Sequence, residues 1–390
     1  MDNVNKPKVR FPGFDDNWEQ RRLGDIFKYE QPSRYIVNST DYDDSYKTPV
    51  LTAGQSFILG YTDETEGIKD ASADEPVIIF DDFTTSSHYV DFPFKVKSSA
   101  MKILTLKKDT DDIYCAKNVL QNLDYAPTGH ERHWISIFSD FDVLMPTDTK
   151  EQVKIGVFFR KIDNLIELYQ RKRDLVIAYK LGLLDKMFPK DNELTPESRF
   201  PEYSGEWKEY SLGDIYSERN EKGNDTLQFL SVSIHTGVSD QELESEELGK
   251  TVKRSEDKTK YKRVYKGDLV FNMMRAWQGA IGVAKSEGMI SPAYISAIPN
   301  DEVFPLFMDY ALRRKESIEQ INNLSYGVTD FRKRLYWSSF VKVKCMLPSK
   351  EEQEKIWRFL KQIDNLIDLY QQKIKAMTEY KKGLLQQMFI

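Results

Sequence analysis

The sequence has few of the residues that build disulfide or metal sites. Its 390 residues include two cysteines, Cys115 and Cys345, and four histidines. Two cysteines cannot form a disulfide framework, and the histidines are too few for a histidine-rich metal centre. We therefore expect a protein without a metal site, in a reducing compartment such as the cytoplasm.

Long apolar runs are also missing. The first 18 residues, MDNVNKPKVRFPGFDDNW, contain no apolar core of signal-peptide length. No later stretch reaches the roughly 18 apolar residues that a membrane-spanning helix needs. The sequence predicts a soluble protein without a membrane partner.

The common catalytic motifs are absent as well. The chain has no phosphate-binding GxxxxGK, no GxSxG and no HExxH. SPAY at Ser291 to Tyr294 approaches the Pro-Pro-aromatic motif of adenine methyltransferases but lacks the second proline, and no glycine-rich AdoMet loop is present. We expect no catalytic residues in this chain.

What the sequence does contain is an internal repeat. FPGFDDNWEQRRLGDIF at Phe11 to Phe27 returns as FPEYSGEWKEYSLGDIY at Phe200 to Tyr216, and Ile162 to Phe188 returns as Ile363 to Phe389 with 16 of 27 residues identical. Such a match exceeds what two unrelated helices would share. Each half is therefore a marker segment, a variable body and a shared segment.

The shared segment has the period of a packed helix. Apolar residues recur every seven positions in both copies, with companions three or four residues on. Each helix is expected to begin just after Pro146 or Pro348 and to run for about 37 residues, or roughly 55 Å. The alternative is two unrelated surface helices, but identity concentrated in the apolar seam favours copies that contact each other.

The variable bodies predict the same order of elements in each half. Strand-like PVIIF (Pro76 to Phe80) and SSAMKILTL (Ser98 to Leu106) precede helical AKNVLQNL (Ala116 to Leu123) and strand-like FDVLMP. The second body has GDLVF, SPAYISAI, one longer helix over about Pro305 to Asn323, and FVKVKCMLP. The halves differ most in the connections between these elements, where recognition residues usually lie.

These connections carry basic, hydroxyl and aromatic side chains that suit nucleic acid. Arginine and glutamine pair with base edges, while serine, threonine and histidine supply adaptable hydrogen bonds. The candidate DNA contacts are Ser86, Ser87, His88, His130, Arg132 and His133 in the first body, and Arg275, Trp277, Gln278, Arg332, Lys333 and Arg334 in the second. Taken singly, a basic run is more typical of a solvated face than of a DNA contact, and Trp277 or Trp134 is as typical of a core as of a contact. His130 with His133 is more typical of a polar loop than of a metal pair.

The marker segments, PTDTKEQVKI with PSKEEQEKI, and IDNLIELYQRK with GLLDKMF together resemble the specificity (S) subunit of type I restriction-modification systems. That resemblance implies an α+β protein in which two similar mixed α/β target-recognition domains are joined by two long helices that form an antiparallel coiled coil, with a pseudo-twofold internal repeat. The predicted segments are 1–146 (first recognition domain), 147–189 (first spacer helix), 190–348 (linker and second recognition domain) and 349–390 (second spacer helix).

The resemblance also implies the function and the partners. Each domain would read one half of a split double-stranded DNA target, and the helices would set the unread spacer. Adenine methylation and cleavage would belong to modification and restriction subunits, which would bind AdoMet, ATP and Mg²⁺, so no cofactor is expected in this chain.

Two other classes of function remain open from the residues alone. The chain could be an unrecognised nuclease in which Asp81 and Asp82 hold Mg²⁺. It could also be an interaction adaptor that keeps the helices but does not contact DNA. The net charge of −6 argues against a generally basic DNA-coating protein and leaves room for local basic faces.

Overall fold

The computed structural model describes residues 6–52, 57–125, 133–190, 193–243, 257–327 and 332–389. The chain divides into two compact units. Unit 1 comprises Met1–Arg171 with Tyr370–Ile390, and unit 2 comprises Lys172–Leu369. The four segment boundaries given above remain a prediction.

Unit 1 is built mainly from short strands. Its elements, in chain order, are β1 (Glu19–Arg22), α1 (Leu23–Ile26), β2 (Phe27–Glu30), β3 (Thr48–Leu51), β4 (Ile58–Thr62), β5 (Val77–Asp81), β6 (Ser87–Val90), β7 (Lys95–Val96), β8 (Met101–Leu106), α2 (Ile113–Gln121), α3 (His133–Ser136), β9 (Asp142–Met145) and the first part of α4 (Thr149–Lys186). Helix α4 continues into unit 2 at Lys172.

Unit 2 repeats much of this order. After the end of α4 its elements are β10 (Lys208–Ser211), α5 (Leu212–Ile215), β11 (Tyr216–Arg219), β12 (Val232–Ser233), β13 (Gly237–Val238), β14 (Lys262–Val264), β15 (Leu269–Asn272), β16 (Ile281–Val283), β17 (Gly288–Ile290), β18 (Tyr294–Pro299), α6 (Met308–Ala311), α7 (Lys315–Leu324), α8 (Trp337–Phe340), β19 (Lys344–Leu347) and the first part of α9 (Lys350–Met388). The remainder of α9 belongs to unit 1.

The main sheet has the same topology in both units. Its strands lie in the order β2-β8-β5-β6 in unit 1 and β11-β18-β15-β16 in unit 2, and every neighbouring pair is antiparallel. The register also matches. Phe80 and Phe271 are the next-to-last residues of β5 and β15, and each lies opposite the second residue of the neighbouring strand, Lys102 in β8 and Ile295 in β18. The prediction of two similar mixed α/β bodies is therefore confirmed.

The remaining strands differ between the bodies. Unit 1 adds a three-stranded sheet, β4-β3-β7, whose β3 and β7 are parallel, whereas unit 2 adds two separate pairs, β12-β13 and β14-β17. A small apolar core lies beside each addition. The two bodies thus share the four-stranded main sheet and differ in the strands added to it.

The marker segments anchor the main sheets. In unit 1, β1 pairs with β9, Leu23 N donates to Phe141 O at 2.9 Å, and Trp18 is buried. In unit 2, β10 pairs with β19, and Leu212 N donates to Val343 O at 2.8 Å. The two marker segments therefore make equivalent contacts in the two units.

The two long helices begin and extend as predicted, with 38 residues in α4 and 39 in α9. In unit 1, Phe159 contacts Phe389 with ring centroids 5.9 Å apart, and Tyr169 contacts Tyr370 at 6.1 Å, so the two helical segments run antiparallel there. The two helices thus share a core, which excludes the alternative of unrelated surface helices.

Matching ion pairs join the helices inside each unit. In unit 1, Lys381 of α9 lies 2.7 Å from Asp163 of α4, and in unit 2, Lys180 of α4 lies 2.5 Å from Asp364 of α9. Lys180 and Lys381 occupy the same place in the repeated segment, as do the two aspartates. The contact is therefore reciprocal: each helix supplies the lysine once and the aspartate once.

The single helix predicted over Pro305 to Asn323 is wrong. The structure has a 3₁₀ turn at Pro305–Phe307, then α6, then α7. The chain is extended at Arg314 (φ −68°, ψ 155°), and the Arg313 guanidinium donates to the main-chain carbonyls of Ile234 and His235. These contacts with a distant turn outweigh the local helical preference.

Within the described ranges, no helix combines the length and the apolar character that crossing a membrane would require. Cys115 and Cys345 are buried free thiols.

Candidate DNA-recognition loops

In each unit we call the connection between β5 and β6, or between β15 and β16, the first loop, and the segment around His133 or Leu335 the second loop. The first loop begins with the same kind of turn in both units. In unit 1, the Asp81 carboxylate accepts hydrogen bonds from Phe83 N at 2.8 Å and from the Thr84 hydroxyl at 2.6 Å. In unit 2, the Asn272 side-chain oxygen accepts one from Met274 N at 3.0 Å. A side chain that caps its own turn fixes the exit direction of both loops.

A matched main-chain bond joins the second loop to the first. His133 N donates to Asp82 O at 3.3 Å in unit 1, and Leu335 N donates to Met273 O at 2.8 Å in unit 2. Asp82 and Met273 each follow the capping residue directly. The structure thus brings together, within each unit, the two segments that the sequence singled out.

The tip of the first loop in unit 1 is built by hydroxyl groups. The Thr84 and Ser86 hydroxyls lie 3.0 Å apart, and the Thr85 hydroxyl donates to Thr84 O at 2.7 Å. Thr85 has a φ of +60°, which a β-branched residue rarely adopts. Ser86 is half-buried at this tip.

The other predicted residues of unit 1 lie deeper. Ser87 is buried in β6, and the His88 ring stacks on Phe57 at 4.1 Å. Burial lowers the pKa of His88, which favours a neutral ring. His133 is only 1% exposed, and its Nδ1 lies 2.6 Å from Asp82 O. His130 and Arg132 lie outside the described residues.

A buried ion pair supports these loops in unit 1. Lys102 Nζ lies 2.6 Å from Asp82 Oδ2, and the two side chains are 0% and 1% exposed. The other carboxylate oxygen of Asp82 accepts from Trp134 N at 3.1 Å. Asp81 and Asp82 are thus both bonded to protein groups, and no three His, Cys, Asp or Glu side chains in the described part of the chain are placed to hold a metal ion.

In unit 2 the predicted side chains are closer to the surface. Arg275, Gln278, Arg332 and Arg334 are exposed. Trp277 packs partly against the core and donates from Nε1 to Met274 O at 3.0 Å. Lys333 Nζ lies 6.0 Å from the centre of the Trp277 ring, so a residue of the second loop covers one of the first. Arg334 and Tyr326 exchange two main-chain hydrogen bonds at 3.0 and 3.2 Å.

Sequence reasoning noted Tyr336 beside the basic residues but missed three other exposed apolar side chains of the loops, Phe83, Ile135 and Tyr326. Phe83 and Ile135 are 43% and 47% exposed in unit 1, and the exposed Tyr326 and Tyr336 rings of unit 2 lie 4.9 Å apart. Exposed aromatic and aliphatic groups beside basic residues are suited to stacking or to contact with a thymine methyl group. The available signal was a large apolar residue within a polar connection, which Phe83 in unit 1 and the equally exposed Met274 in unit 2 both provide.

Comparison with known proteins places these loops in a family. The family described as "Type I restriction modification DNA specificity domain" matches residues 15–177 and 204–379. The Escherichia coli type I restriction enzyme EcoR124I/EcoR124II specificity subunit is 40% identical over 197 residues, which are 50% of this chain and 47% of that protein. The chain therefore matches about half the length of this relative.

Two further relatives cover nearly the whole chain. The type I restriction enzyme MjaVIII specificity subunit of Methanocaldococcus jannaschii is 21% identical over 399 residues, covering 95% of this chain and 91% of that protein. The crystal structure of the S subunit of a type I restriction-modification system from M. genitalium is 15% identical, covers 99% of both chains and has a TM-score of 0.64. It shares the fold.

The two family matches coincide with the two copies of the marker, the body and most of the long helix, and both contain the paired loops described above. This chain belongs to the family of type I restriction modification DNA specificity domains.

Proposed function

We propose that the chain is the DNA-binding specificity subunit of a type I restriction-modification complex. Each unit reads one half of a bipartite double-stranded target, and the chain directs partner subunits to methylate adenine or to cleave the DNA. The chain itself performs neither reaction, and its place is the cytoplasm.

The observation that carries this proposal is the pairing of the two loops in each unit. The bonds His133 N to Asp82 O and Leu335 N to Met273 O hold different side chains in the same frame. The same main-chain arrangement with different loop side chains suits two domains that recognise different DNA sequences. The side chains that contact base edges determine the sequence, and the scaffold holds them in position. A protein-interaction adaptor would have no use for exposed arginines at both paired loops of unit 2.

The candidate contacts divide by burial. We assign base or phosphate contacts to Arg275, Gln278, Arg332 and Arg334, which are exposed, and to Ser86 at the tip of unit 1. Trp277, Lys333 and His88 are half-buried and flank these positions. Ser87 and His133 support the loops from below. His130 and Arg132 stay candidates on sequence grounds.

Partner subunits supply the chemistry in this proposal. Two modification subunits with AdoMet, and restriction subunits with ATP and Mg²⁺, would assemble on the chain. Apolar side chains left exposed along α4 are suited to such contacts, and they include Val153 and Val157 in unit 1 and Leu175, Tyr179 and Leu181 in unit 2.

The long helices would form an antiparallel coiled coil that sets the unread spacer. The reciprocal pairs of Asp163 with Lys381 and of Asp364 with Lys180 support this arrangement, because a pseudo-twofold pair of helices repeats each contact with the roles exchanged.

A binding measurement with the full chain tests the proposal. The purified chain, alone and with a modification subunit, is mixed with duplexes that contain or lack the mapped target at two salt concentrations. We expect target-selective binding that weakens with salt, because phosphate contacts release counterions. Binding that is equal on every duplex, or DNA cleavage by the isolated chain, would refute it.

A further inference from the structure

Unit 2 contains a cationic cavity, most of whose lining lies outside the DNA-reading loops. It has a volume of about 430 Å³ and lies between α4, α6, α7, α9 and the turn that joins β12 to β13. Its charged lining consists of Lys180, Lys285, Arg313, Arg314 and Lys361 against two carboxylates, Asp309 and Asp364. Asp240 and Glu316 lie next to Lys285 and Arg314, so four carboxylates face the five cations and an excess of one positive charge remains.

The carboxylates of the cavity are already bonded. Asp364 accepts hydrogen bonds from the Lys180 ammonium and the Tyr310 hydroxyl, both at 2.5 Å. Asp309 Oδ1 accepts from Val283 N at 2.7 Å. Neither carboxylate lies within 4 Å of Lys361, which has no ion pair or hydrogen bond with any residue that the structure describes.

Two of the cations have partners at the surface. Lys285 lies 3.1 Å from Asp240, whose side chain is largely exposed, and Arg314 lies 3.2 Å from Glu316. Asp240 and Glu316 are exposed to solvent, which weakens their attraction for these cations. An anion with more than one charge can therefore compete with Asp240 and Glu316 for these cations.

The matching place in unit 1 is neutralised by an ion pair. Arg160 of α4 lies 2.9 Å from Asp91, which follows β6. The repeated helix sequence aligns Arg160 with Lys361. Tyr89 and Val283 occupy equivalent places in the two sheets, since they pair with the equivalent residues Ile78 and Leu269. Asp91 and Lys285 each follow two residues later and are therefore equivalent as well. Unit 2 has thus replaced an arginine–aspartate pair by two lysines.

We propose that this cavity binds the phosphate group of a nucleotide. Lys361 has no carboxylate partner among the described residues and Lys285 has the exposed Asp240, so the two lysines favour an added anion, and lysine and arginine are common phosphate ligands. The Gln278 amide and the Thr236 hydroxyl also line the cavity and can donate to phosphate oxygens. Trp357 and Tyr310 supply aromatic surface, and the volume exceeds that of phosphate alone, so a base or a sugar has room beside it.

The nucleotide can be free in solution or part of a DNA strand. Gln278 both lines the cavity and belongs to the first recognition loop. A phosphate of the DNA backbone close to that loop could therefore bind to the same cationic side chains. The site is independent of base reading, and its test begins without DNA.

Isothermal titration calorimetry of the full chain with sodium pyrophosphate and with ADP, without divalent metal, tests the site. We expect saturable binding of pyrophosphate. Lys285→Asp, which installs the residue found in unit 1, should weaken it about tenfold or more, and Lys361→Gln should weaken it too. Arg160→Gln, at the matching place in unit 1, is the control and should bind like the parent chain.

Both cavity variants change side chains near the surface and should keep the melting temperature of the parent. Tighter binding of ADP than of pyrophosphate would assign the site to a free nucleotide, and displacement of pyrophosphate by duplex DNA would assign it to the DNA backbone. No saturable binding of pyrophosphate or ADP by the parent chain, or unchanged binding by both Lys285→Asp and Lys361→Gln, would overturn the proposal, whatever the chain does with target DNA.

Discussion

Asp82 and Lys102 form a buried ion pair in unit 1 at the place where unit 2 has Met273 and Ile295. The sheet register fixes this correspondence, because Lys102 lies opposite Phe80 and Ile295 lies opposite Phe271. Both positions carry the same main-chain bond to the second loop. One frame is therefore held by charge in one unit and by apolar packing in the other.

The comparison shows which part of the frame is essential. A buried ion pair often stabilises no better than apolar residues of similar volume, although removing one partner is costly. Asp82 in addition accepts from Trp134 N, a bond that Met273 cannot reproduce in unit 2. The constant element is the main-chain bond between the loops, and the side chains beneath it are exchangeable as a pair.

The largest effect is expected from breaking this pair. Lys102→Met leaves the Asp82 carboxylate buried without its cation, which should lower the free energy of unfolding of unit 1 by about 3–5 kcal/mol. Hydrogen exchange followed by mass spectrometry, which resolves the two units, measures the change.

The double variant Asp82→Met with Lys102→Ile copies unit 2 and should recover most of that loss. The matched control is Ile295→Met, which keeps the volume and should cost less than about 1.5 kcal/mol. If the double variant is as unstable as Lys102→Met, the apolar pair of unit 2 cannot replace the ion pair of unit 1 beneath the loops.

The marker tryptophans give a second comparison. Trp18 Nε1 donates to the buried Glu151 carboxylate at 3.2 Å, whereas Trp207 Nε1 is buried with no hydrogen-bond partner within the described ranges. A hydrogen bond to a charged group contributes about 1.5–3 kcal/mol. Trp18→Phe should therefore destabilise its unit by about that much more than Trp207→Phe does. Equal losses, measured by unit-resolved hydrogen exchange, would show that the Glu151 contact has no net effect.

The recognition loops allow a comparison in function. Arg275→Ala or Arg332→Ala should weaken recognition through one half-site only, by about 1–3 kcal/mol if the side chain contacts a base edge. Competition binding with duplexes altered in one half-site at a time measures this loss. A uniform loss on every duplex would mark a phosphate contact instead, and no loss would remove the residue from the interface.

The smallest effect concerns pH and a buried lysine that only unit 1 has. Burial lowers the pKa of Lys117 to about 8, although Asp163 at 3.0 Å opposes the shift. Between pH 8 and 10 the unfolded lysine therefore binds more protons than the folded one, so the contribution of Lys117 to stability should rise with pH. Burial raises the pKa of the neighbouring Cys115 thiol, whose contribution falls with pH. Unit 2 has Arg313 at this place, and its guanidinium stays charged throughout.

Unfolding of unit 1 at pH 8 and pH 9.5 checks this sign. The change in stability with pH should be lower in Lys117→Gln than in the parent chain, and the control Arg313→Gln should match the parent. The same pH slope in the parent and in Lys117→Gln would show that Lys117 does not titrate in this range.

Local patterns made the framework predictable. The heptad period gave both long helices, and their starts at Thr149 and Lys350 follow the prolines that were expected to precede them. Strands β5 and β8 lie inside the predicted segments to within a residue, because runs such as PVIIF are buried on both faces of a central strand. The repeat itself predicted that the two bodies would share a fold.

Tertiary contacts account for what the sequence could not predict. The helix expected through Arg313 and Arg314 is broken by bonds to a turn about 80 residues earlier in the chain. The burial of Ser87 and His133 depends on cross-strand register and on Asp82, which no short pattern reveals. The charge of the cavity in unit 2 depends on Lys285, whose equivalence to Asp91 follows from the sheet register and not from the sequence repeat.

Mapping of methylated adenines tests the central claim, that each unit reads one half of a split target, most directly. The host carries the chain with its modification subunit, or a variant in which residues 274–280 are replaced by residues 83–86, so that Met273 and Ile281 keep their places in the frame of unit 2. The account predicts a bipartite target for the parent chain, and for the variant one altered half with the other half and the spacer unchanged. A continuous target for the parent, or a variant in which both halves change, would contradict it.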